Sequence, residues 1–251
     1  TAQSSPEISA EVTAVDEPPP EVSSAPPADV LPDPTTPAGP DTVTESVETV
    51  LRKAKDSGSL AAWTQLFAQW SVKLPAAVEP EYCVFANDLG LYCLAEKGSW
   101  GLLRQYNRPA IMQLISSDGQ AVPVVLQHLD DGFAELLIGE ESFQVAIGEL
   151  DRFWFGEFTL LLRLPPDGRL LLTAGDRNPD VAWLRQLLEA AQQVKLPSDD
   201  PQFFDSTLQR QVMDFQRRRG LLADGVVGKQ TLIQLNTYSD RNVPLLSAES
   251  L

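Results

Sequence analysis

Apolar and polar residues follow two different periods along the chain, and the first of them is helical. Through about residues 59–71, apolar residues recur every three or four positions, which places them on one face of an α-helix. These positions are Leu60, Trp63, Phe67 and Trp70. The pattern predicts an amphipathic helix there, and a second helix is predicted to start near Cys83.

The pattern then changes to short apolar runs that are separated by turn residues. Runs at Ile111–Ile115, Val122–Leu129 and Phe133–Ile138 are divided by Asp118-Gly119 and by Asp130-Asp131-Gly132. Each run has the length and composition of a β-strand, and the dividing residues favour turns.

A hairpin is predicted after these strands. Phe158–Leu164 and Arg169–Thr173 flank Pro165-Pro166-Asp167-Gly168, which is a typical turn sequence. Helices followed by several antiparallel strands indicate an α+β domain.

The last part of the chain is again helical. Asn178 and Pro179 have the residue types of an N-cap and a first helical position, and Asp205 is predicted to cap a second helix that ends at Gly220. A loop at residues 224–228 leads to a short third helix. The pattern predicts a compact three-helix bundle.

Composition sets the first 45 residues apart. They hold nine carboxylates, no Lys or Arg, and ten of the twenty prolines. Such a segment buries too little apolar surface to fold, so it is predicted to be a disordered, Pro-rich, acidic linker. The predicted organisation is therefore linker 1–45, an α+β domain over 46–172, the helical module over 173–238, and a tail over 239–251.

Charge and residue counts exclude several classes of function. The formal net charge is −16, and no segment has the basic footprint of a nucleic-acid-binding protein. No apolar run approaches the ~20 residues of a membrane-spanning helix, so no membrane segment is expected in this chain. Two cysteines and one histidine, His128, exclude a zinc site made of four Cys and His ligands. No metal and no cofactor are expected.

The strongest motif lies in the helical module. Phe215–Leu232 reads FQRRRGLLADGVVGKQTL, and this resembles the peptidoglycan-binding domain of bacterial cell-wall enzymes. The resemblance covers about residues 175–238 and implies a ligand groove between the helices, beside the Asp-Gly-Val-Val-Gly loop. The candidate peptidoglycan-binding residues are Gln216, Arg217, Asp224, Gly225, Val226, Gly228, Lys229, Gln230, Thr231 and Asn236.

Residues 80–165 carry a second resemblance. Pro109-Ala110-Ile111, Val124-Val125-Leu126 and Trp154-Phe155-Gly156 are similar to segments of the papain-like peptidases that trim bacteriocin leaders. That family places its catalytic His two residues before the Val-Val-Leu segment, where this chain has Val122. His128 lies six residues further along the same strand, about 20 Å away at ~3.3 Å per residue. The domain is therefore predicted to be papain-like but catalytically degenerate, with no catalytic residues.

Together, the two domains resemble the periplasmic part of the type II (general) secretion pathway protein A family. The segment from Gly98-Ser99-Trp100 to Asn107-Arg108-Pro109-Ala110 favours this family over a generic fusion. The resemblance implies the periplasm of a Gram-negative bacterium, a longer protein anchored in the inner membrane, and assembly of the outer-membrane secretin with a B-type partner protein. Formation of a homo-oligomer is a further possibility.

An envelope location also favours a disulfide between Cys83 and Cys93, with two buried free thiols as the alternative. Two other functions stay open at this point. One is a cysteine peptidase or hydrolase delivered to the cell wall by the module. The other is a structural spacer with no affinity for the wall.

Overall fold

The computed structural model describes residues 46–75, 80–239 and 242–247. The predicted linker, residues 1–45, lies outside the described residues. In its described residues, the domain that follows has four helices and six strands, so the predicted α+β class is confirmed. Its elements are α1 Val47–Gln69, α2 Tyr82–Asp88, β1 Leu91–Lys97, α3 Trp100–Tyr106, β2 Ala110–Ile115, β3 Ala121–Leu129, β4 Phe133–Ile138, β5 Glu141–Ala146, α4 Ile147–Leu150 and β6 Trp154–Arg163.

The six strands form one antiparallel sheet in the order β1-β6-β2-β3-β4-β5. The three short runs predicted as strands are β2, β3 and β4, and the strand predicted at Phe158–Leu164 corresponds to the second half of β6. The predicted hairpin after β6 is wrong, because β1 and β2 already occupy both edges of β6. The segment that was expected to pair with β6 instead leaves the sheet, and Leu172 forms an isolated bridge with Val227 of the helical module.

Helix α1 is longer than predicted and covers both faces of the sheet. It begins at Val47, where the Ser46 side chain accepts a hydrogen bond from the Thr49 N–H. Gly58 interrupts the helical geometry with φ 74°, a conformation that glycine adopts without steric cost. Before this break the helix packs into one core cluster, and after it Leu66 and Phe67 pack into the cluster on the opposite face. The break at Gly58 therefore allows the two halves of α1 to pack into the core clusters on opposite faces of the sheet.

Three further helices form the C-terminal module: α5 Pro179–Gln192, α6 Ser206–Arg218 and α7 Lys229–Asn236. The predicted caps are present, since Asn178 accepts from the Val181 N–H and Asp205 from the Leu208 N–H. Burial by itself opposes ionisation of Asp205, but the Leu208 N–H and the Arg185 guanidinium hold the pKa of this carboxyl below its ordinary value. The core of the module comes from all three helices, the segments that connect them and the segment before α5: Leu172, Val181, Leu184, Leu187, Leu188, Leu196, Phe204, Leu208, Val212, Phe215, Val227, Leu232 and Leu235.

Candidate functional site

The loop between α6 and α7 is organised around one buried amide, that of Gln216. Its Nε2 lies 3.0 Å from Asp224 Oδ1, 2.9 Å from the Val226 carbonyl oxygen and 3.2 Å from Thr231 Oγ1. Its Oε1 accepts the Gly225 N–H at 2.9 Å. Gln216 is only 2% exposed, so this side chain ties both ends of the loop to α6.

Gly225 is required at the tip of this loop. Its φ is 73°, and a Cβ at this position would lie 2.8 Å from Gln209 Cγ. Side chains at this φ are strained, and the space is already filled by α6. The Asp-Gly pair of the motif therefore has a structural role: the Asp224 carboxylate accepts the Val226 N–H at 2.8 Å, and Gly225 allows the chain to turn against α6.

Four of the predicted binding residues are buried. Gln216 and Thr231 bond to each other inside the loop, and Asn236 is 0% exposed and accepts the Arg163 N–H at 2.7 Å. Gly225 is buried as well, whereas Val226 and Gly228 are half-buried. The Gln216 and Thr231 side chains hold the loop together, and Asn236 Oδ1 joins the module to β6. Among the described residues, the Asn236 Nδ2 group is buried without a hydrogen-bond partner.

The other four candidates are exposed, and each of them also contacts a neighbouring side chain. Arg217 forms an ion pair with Asp214 of its own helix, and Lys229 forms one with Glu96 of β1. Asp224 and Gln230 complete the exposed set. Because Lys229 stands at the start of α7, the beginning of this helix faces the papain-like domain.

The module is docked onto that domain through a buried arginine. Arg108 is 1% exposed, and its Nη2 donates to the Ile233 carbonyl at 2.6 Å and to Thr237 Oγ1 at 2.8 Å. Burial lowers the pKa of Arg108 to about 9, so the guanidinium still carries its charge at neutral pH. Ile233 itself belongs to a core cluster of the papain-like domain.

The segment after the module returns to the same interface. Leu246 is 1% exposed and joins the core cluster that contains Ile233. The Asn107 side chain donates to the Ser247 carbonyl at 2.9 Å and accepts the Ser247 N–H at 2.8 Å. Asn107 and Arg108, two residues of the segment that favoured the secretion family, therefore hold the C-terminal part of the chain.

A cleft of about 450 Å³ lies where the module meets the end of β6. Helix α5 forms one wall with Trp183 and Gln186, and the segment from Arg163 to Pro166 forms another. Tyr238, just after α7, contributes a second aromatic side chain. This volume is within the range of small-ligand sites in proteins. No pattern in the sequence indicates this cleft, because its walls come from segments that lie far apart in the chain.

Known proteins match both domains. Residues 45–163 match the family model "GspA, peptidase C39-like domain", and residues 177–235 match "Putative peptidoglycan binding domain". The chain is 32% identical over 190 residues to general secretion pathway protein A of Aeromonas hydrophila, a match that covers 76% of this chain and 34% of that protein. The chain belongs to the general secretion pathway protein A family.

Two further comparisons agree with this family. A relative from Escherichia coli (strain K12), described as "Putative general secretion pathway protein A", is 27% identical over 202 residues, which cover 80% of this chain and 39% of the relative. A solved periplasmic domain of the EpsAB fusion protein of the Vibrio vulnificus type II secretion system aligns with a TM-score of 0.52 and 26% identity, covering 73% of this chain and 81% of that one. The chain thus spans between 34% and 39% of the length of these protein A relatives.

The peptidase-like domain of this protein A family member has no free thiol. Cys83 and Cys93 are joined in a disulfide between α2 and β1, as expected. Val122, the residue that the sequence resemblance predicts in place of the family's histidine, is 2% exposed in β3. His128 is an exposed residue of the same strand, where it pairs with Glu135 of β4. Neither sulfur is a free thiol, so neither can act as a nucleophile in this state.

Among the described residues, no three or more His, Cys, Asp or Glu side chains are grouped so that they could bind a metal ion. Within the same residues, no helix combines the length and the apolar character that crossing a membrane requires.

Proposed function

We propose that this chain is a non-catalytic, peptidoglycan-binding periplasmic region of a secretion protein A, and that it helps the secretin to assemble through the cell wall. One observation carries the proposal: a GspA-type peptidase-like domain is followed directly by a peptidoglycan-binding domain in a single chain. The relative from Aeromonas hydrophila is named as a protein of the general secretion pathway. Anchoring to the wall is the role that the second domain contributes.

The absence of catalysis is supported by the chemistry of the peptidase-like domain. A cysteine peptidase needs a thiolate beside an imidazole. Here the two cysteines are bonded to each other, and an apolar residue, Val122, occupies the expected histidine position. The domain then acts as a scaffold that positions the module and offers a surface to partner proteins.

The partners follow from the family. The Vibrio vulnificus neighbour belongs to an EpsAB fusion protein of a type II secretion system, which supports a B-type partner for this chain. We place the chain in the periplasm as the soluble region of a longer protein anchored in the inner membrane. Self-association into a homo-oligomer is part of this proposal, and light scattering of the purified chain tests it.

Two surfaces remain for the ligand once the buried candidates are set aside. One is the exposed side of the loop, with Arg217, Asp224, Lys229 and Gln230. The other is the cleft between α5 and the end of β6. Both lie on the module or at its border with the papain-like domain.

Co-sedimentation with purified peptidoglycan sacculi tests the proposed function. The whole chain is expected to pellet saturably, and soluble fragments from a muramidase digest are expected to release it. A thiol-reactive probe applied without reductant serves as the second readout, and no labelling is expected. A chain that stays in the supernatant at every salt concentration contradicts the anchoring role, and labelling of one cysteine favours a cell-wall-targeted cysteine peptidase instead.

A further inference from the structure

The cleft beside α5 has a composition that is unusual for this acidic protein. The chain has 35 acidic and 19 basic residues. The described residues that line the cleft nevertheless include one cation, Arg163, and no carboxylate. An anionic ligand that enters the cleft therefore meets the positive charge of the Arg163 guanidinium.

The walls of the cleft are aromatic and apolar. Trp183 is half-buried against the core of the module, and Leu187 and Pro165 are buried beside it. Tyr238 is held in place by a T-shaped contact with Phe215 at 6.3 Å between ring centroids and by the Arg219 guanidinium 5.0 Å from its own ring. Packed aromatic rings present a fixed apolar surface at little entropic cost.

The polar groups of the cleft are few and spaced apart. Arg163 lies 5.5 Å from the centroid of the Trp70 ring, which orients its guanidinium. Gln186 is exposed on α5 and offers an amide, and Ser239 offers a hydroxyl. A guanidinium binds a carboxylate through two parallel hydrogen bonds, and an amide side chain matches a peptide group.

We propose that this cleft binds the stem peptide of peptidoglycan, with Arg163 on a peptide carboxylate and Trp183 and Leu187 against its alanine methyl groups. The inference rests on the proposed function and gives it a location. A stem peptide carries small apolar side chains, amides and several carboxylates, and each of these has a counterpart in the cleft. The disaccharide stays outside, because 450 Å³ accommodates only one end of such a ligand. Both domains then contribute to binding, since Arg163 belongs to β6 and Trp183 to α5.

The test uses the whole chain and two pairs of variants. Ala190→Trp fills the cleft from the exposed side of α5, and Ala68→Trp makes the same change at an exposed position of α1 outside it. Arg163→Gln removes the cleft cation, and Arg218→Gln removes an exposed cation outside the cleft. The probes are free stem tetrapeptide and peptide-free glycan strands, both released by amidase, measured by calorimetry and by competition against sacculi.

The free stem peptide is expected to compete with sacculi and the glycan strands are not. Ala190→Trp and Arg163→Gln are each expected to weaken peptide binding about tenfold or more, while their controls bind as the unmodified chain does. If one cleft variant does not fold, as judged by its melting curve, the other cleft variant and its control are used to test the proposal.

Three results would contradict the proposal that the cleft binds the stem peptide. The first is that the unmodified chain binds sacculi and the Ala190→Trp variant binds them equally well. The second is competition by glycan strands alone. The third is loss of binding in Gln230→Ala with none in the cleft variants, which assigns the ligand to the loop. In all three cases the anchoring function stands. If the unmodified chain does not bind sacculi at all, the proposed function fails and the cleft proposal fails with it.

Discussion

At the scale of single residues, the peptidoglycan-binding motif is largely a set of structural contacts. Gln216 satisfies two main-chain groups and two side chains of the loop at once. Asn236 satisfies the N–H of Arg163, a residue of the other domain. These polar residues have fixed positions because buried polar groups must be hydrogen-bonded. Their place in the motif does not require that they touch the ligand.

Replacing Gln216 should therefore destabilise the module. In Gln216→Ala the Gly225 N–H and the Val226 carbonyl lose their partner. An unpaired buried polar group costs about 1–3 kcal/mol, so we expect a loss of roughly 2–4 kcal/mol in the free energy of unfolding, measured by urea denaturation. The control is Arg218→Ala, two positions away and exposed, which should change stability by less than about 0.5 kcal/mol. Equal effects of the two changes would show that the amide does not support the loop.

The sequence predicted the motif correctly but not the accessibility of its members. Spacing along α6 places Leu208, Val212 and Phe215 on one face, and the pattern showed that. Gln216 lies next to this face and is buried by the loop that follows, and only the fold brings that loop back onto α6. Lys229 and Gln230 illustrate the same limit: a short helix gives no sign that its first turn will meet β1 of another domain.

At the scale of the elements, local patterns predicted the strands that bury continuous apolar runs. They did not predict which strands pair, because pairing depends on the whole sheet. The apolar run 158–164 was correctly predicted as a strand. Its partner was not, because β6 is a central strand between β1 and β2, which come from earlier in the chain. Strands β1 and β5 were missed. Both lie at the edges of the sheet, where β1 buries its residues without strict alternation and β5 buries only Phe143 and Val145.

The link between α1 and the turn from β2 to β3 should depend on pH. The Lys55 ammonium lies 2.8 Å from both Asp118 oxygens, and Ser116 also donates to this carboxylate. The Lys55 contact, followed by the Ser116 hydroxyl, lowers the pKa of Asp118 to about 2. A lowered carboxyl pKa stabilises the fold above the ordinary value of 3.8, and this contribution disappears as the pH falls through about 2.

Urea denaturation between pH 5 and pH 2 measures this effect. The stability advantage of the unmodified chain over Asp118→Asn is expected to be constant near pH 5 and to shrink as the pH falls from about 4 to 2. In a Lys55→Met background most of that pH dependence should vanish, because the main cause of the lowered pKa is gone. An advantage that grows on acidification would contradict the assigned sign.

At the scale of the whole molecule, the papain-like domain and the C-terminal module pack against each other through a shared interface. Ile233 of the module is part of the core cluster of the papain-like domain, and Leu246 from the C-terminal segment joins it. The Arg108 guanidinium crosses the interface from the other side. A stem peptide in the cleft would contact both domains. Under the proposed function, this interface would then couple wall binding to the surface that the papain-like domain offers to partners.

The docking predicts that residues 46–247 unfold as one cooperative unit. Scanning calorimetry of the unmodified chain should give a single transition for both domains, with the calorimetric enthalpy equal to the van't Hoff enthalpy. In Arg108→Ala, the Ile233 carbonyl and the Thr237 hydroxyl lose bonds to a charged donor, each worth about 1.5–3 kcal/mol. We expect a loss of roughly 3 kcal/mol, which for a chain of this size lowers Tm by roughly 6–12 °C.

Two further variants in the same experiment distinguish the effect of lost docking contacts on Tm from the effect of removing a positive charge. Arg152→Ala removes an exposed arginine of the papain-like domain and should leave Tm within about 2 °C. Arg108→Lys keeps a charge but replaces the planar fork of donors by one ammonium, so it should recover only part of the stability. If the unmodified chain already shows two separate transitions, the shared core does not bind the domains together. In that case wall binding by the module would be transmitted to the papain-like domain through the connecting chain and not through Arg108.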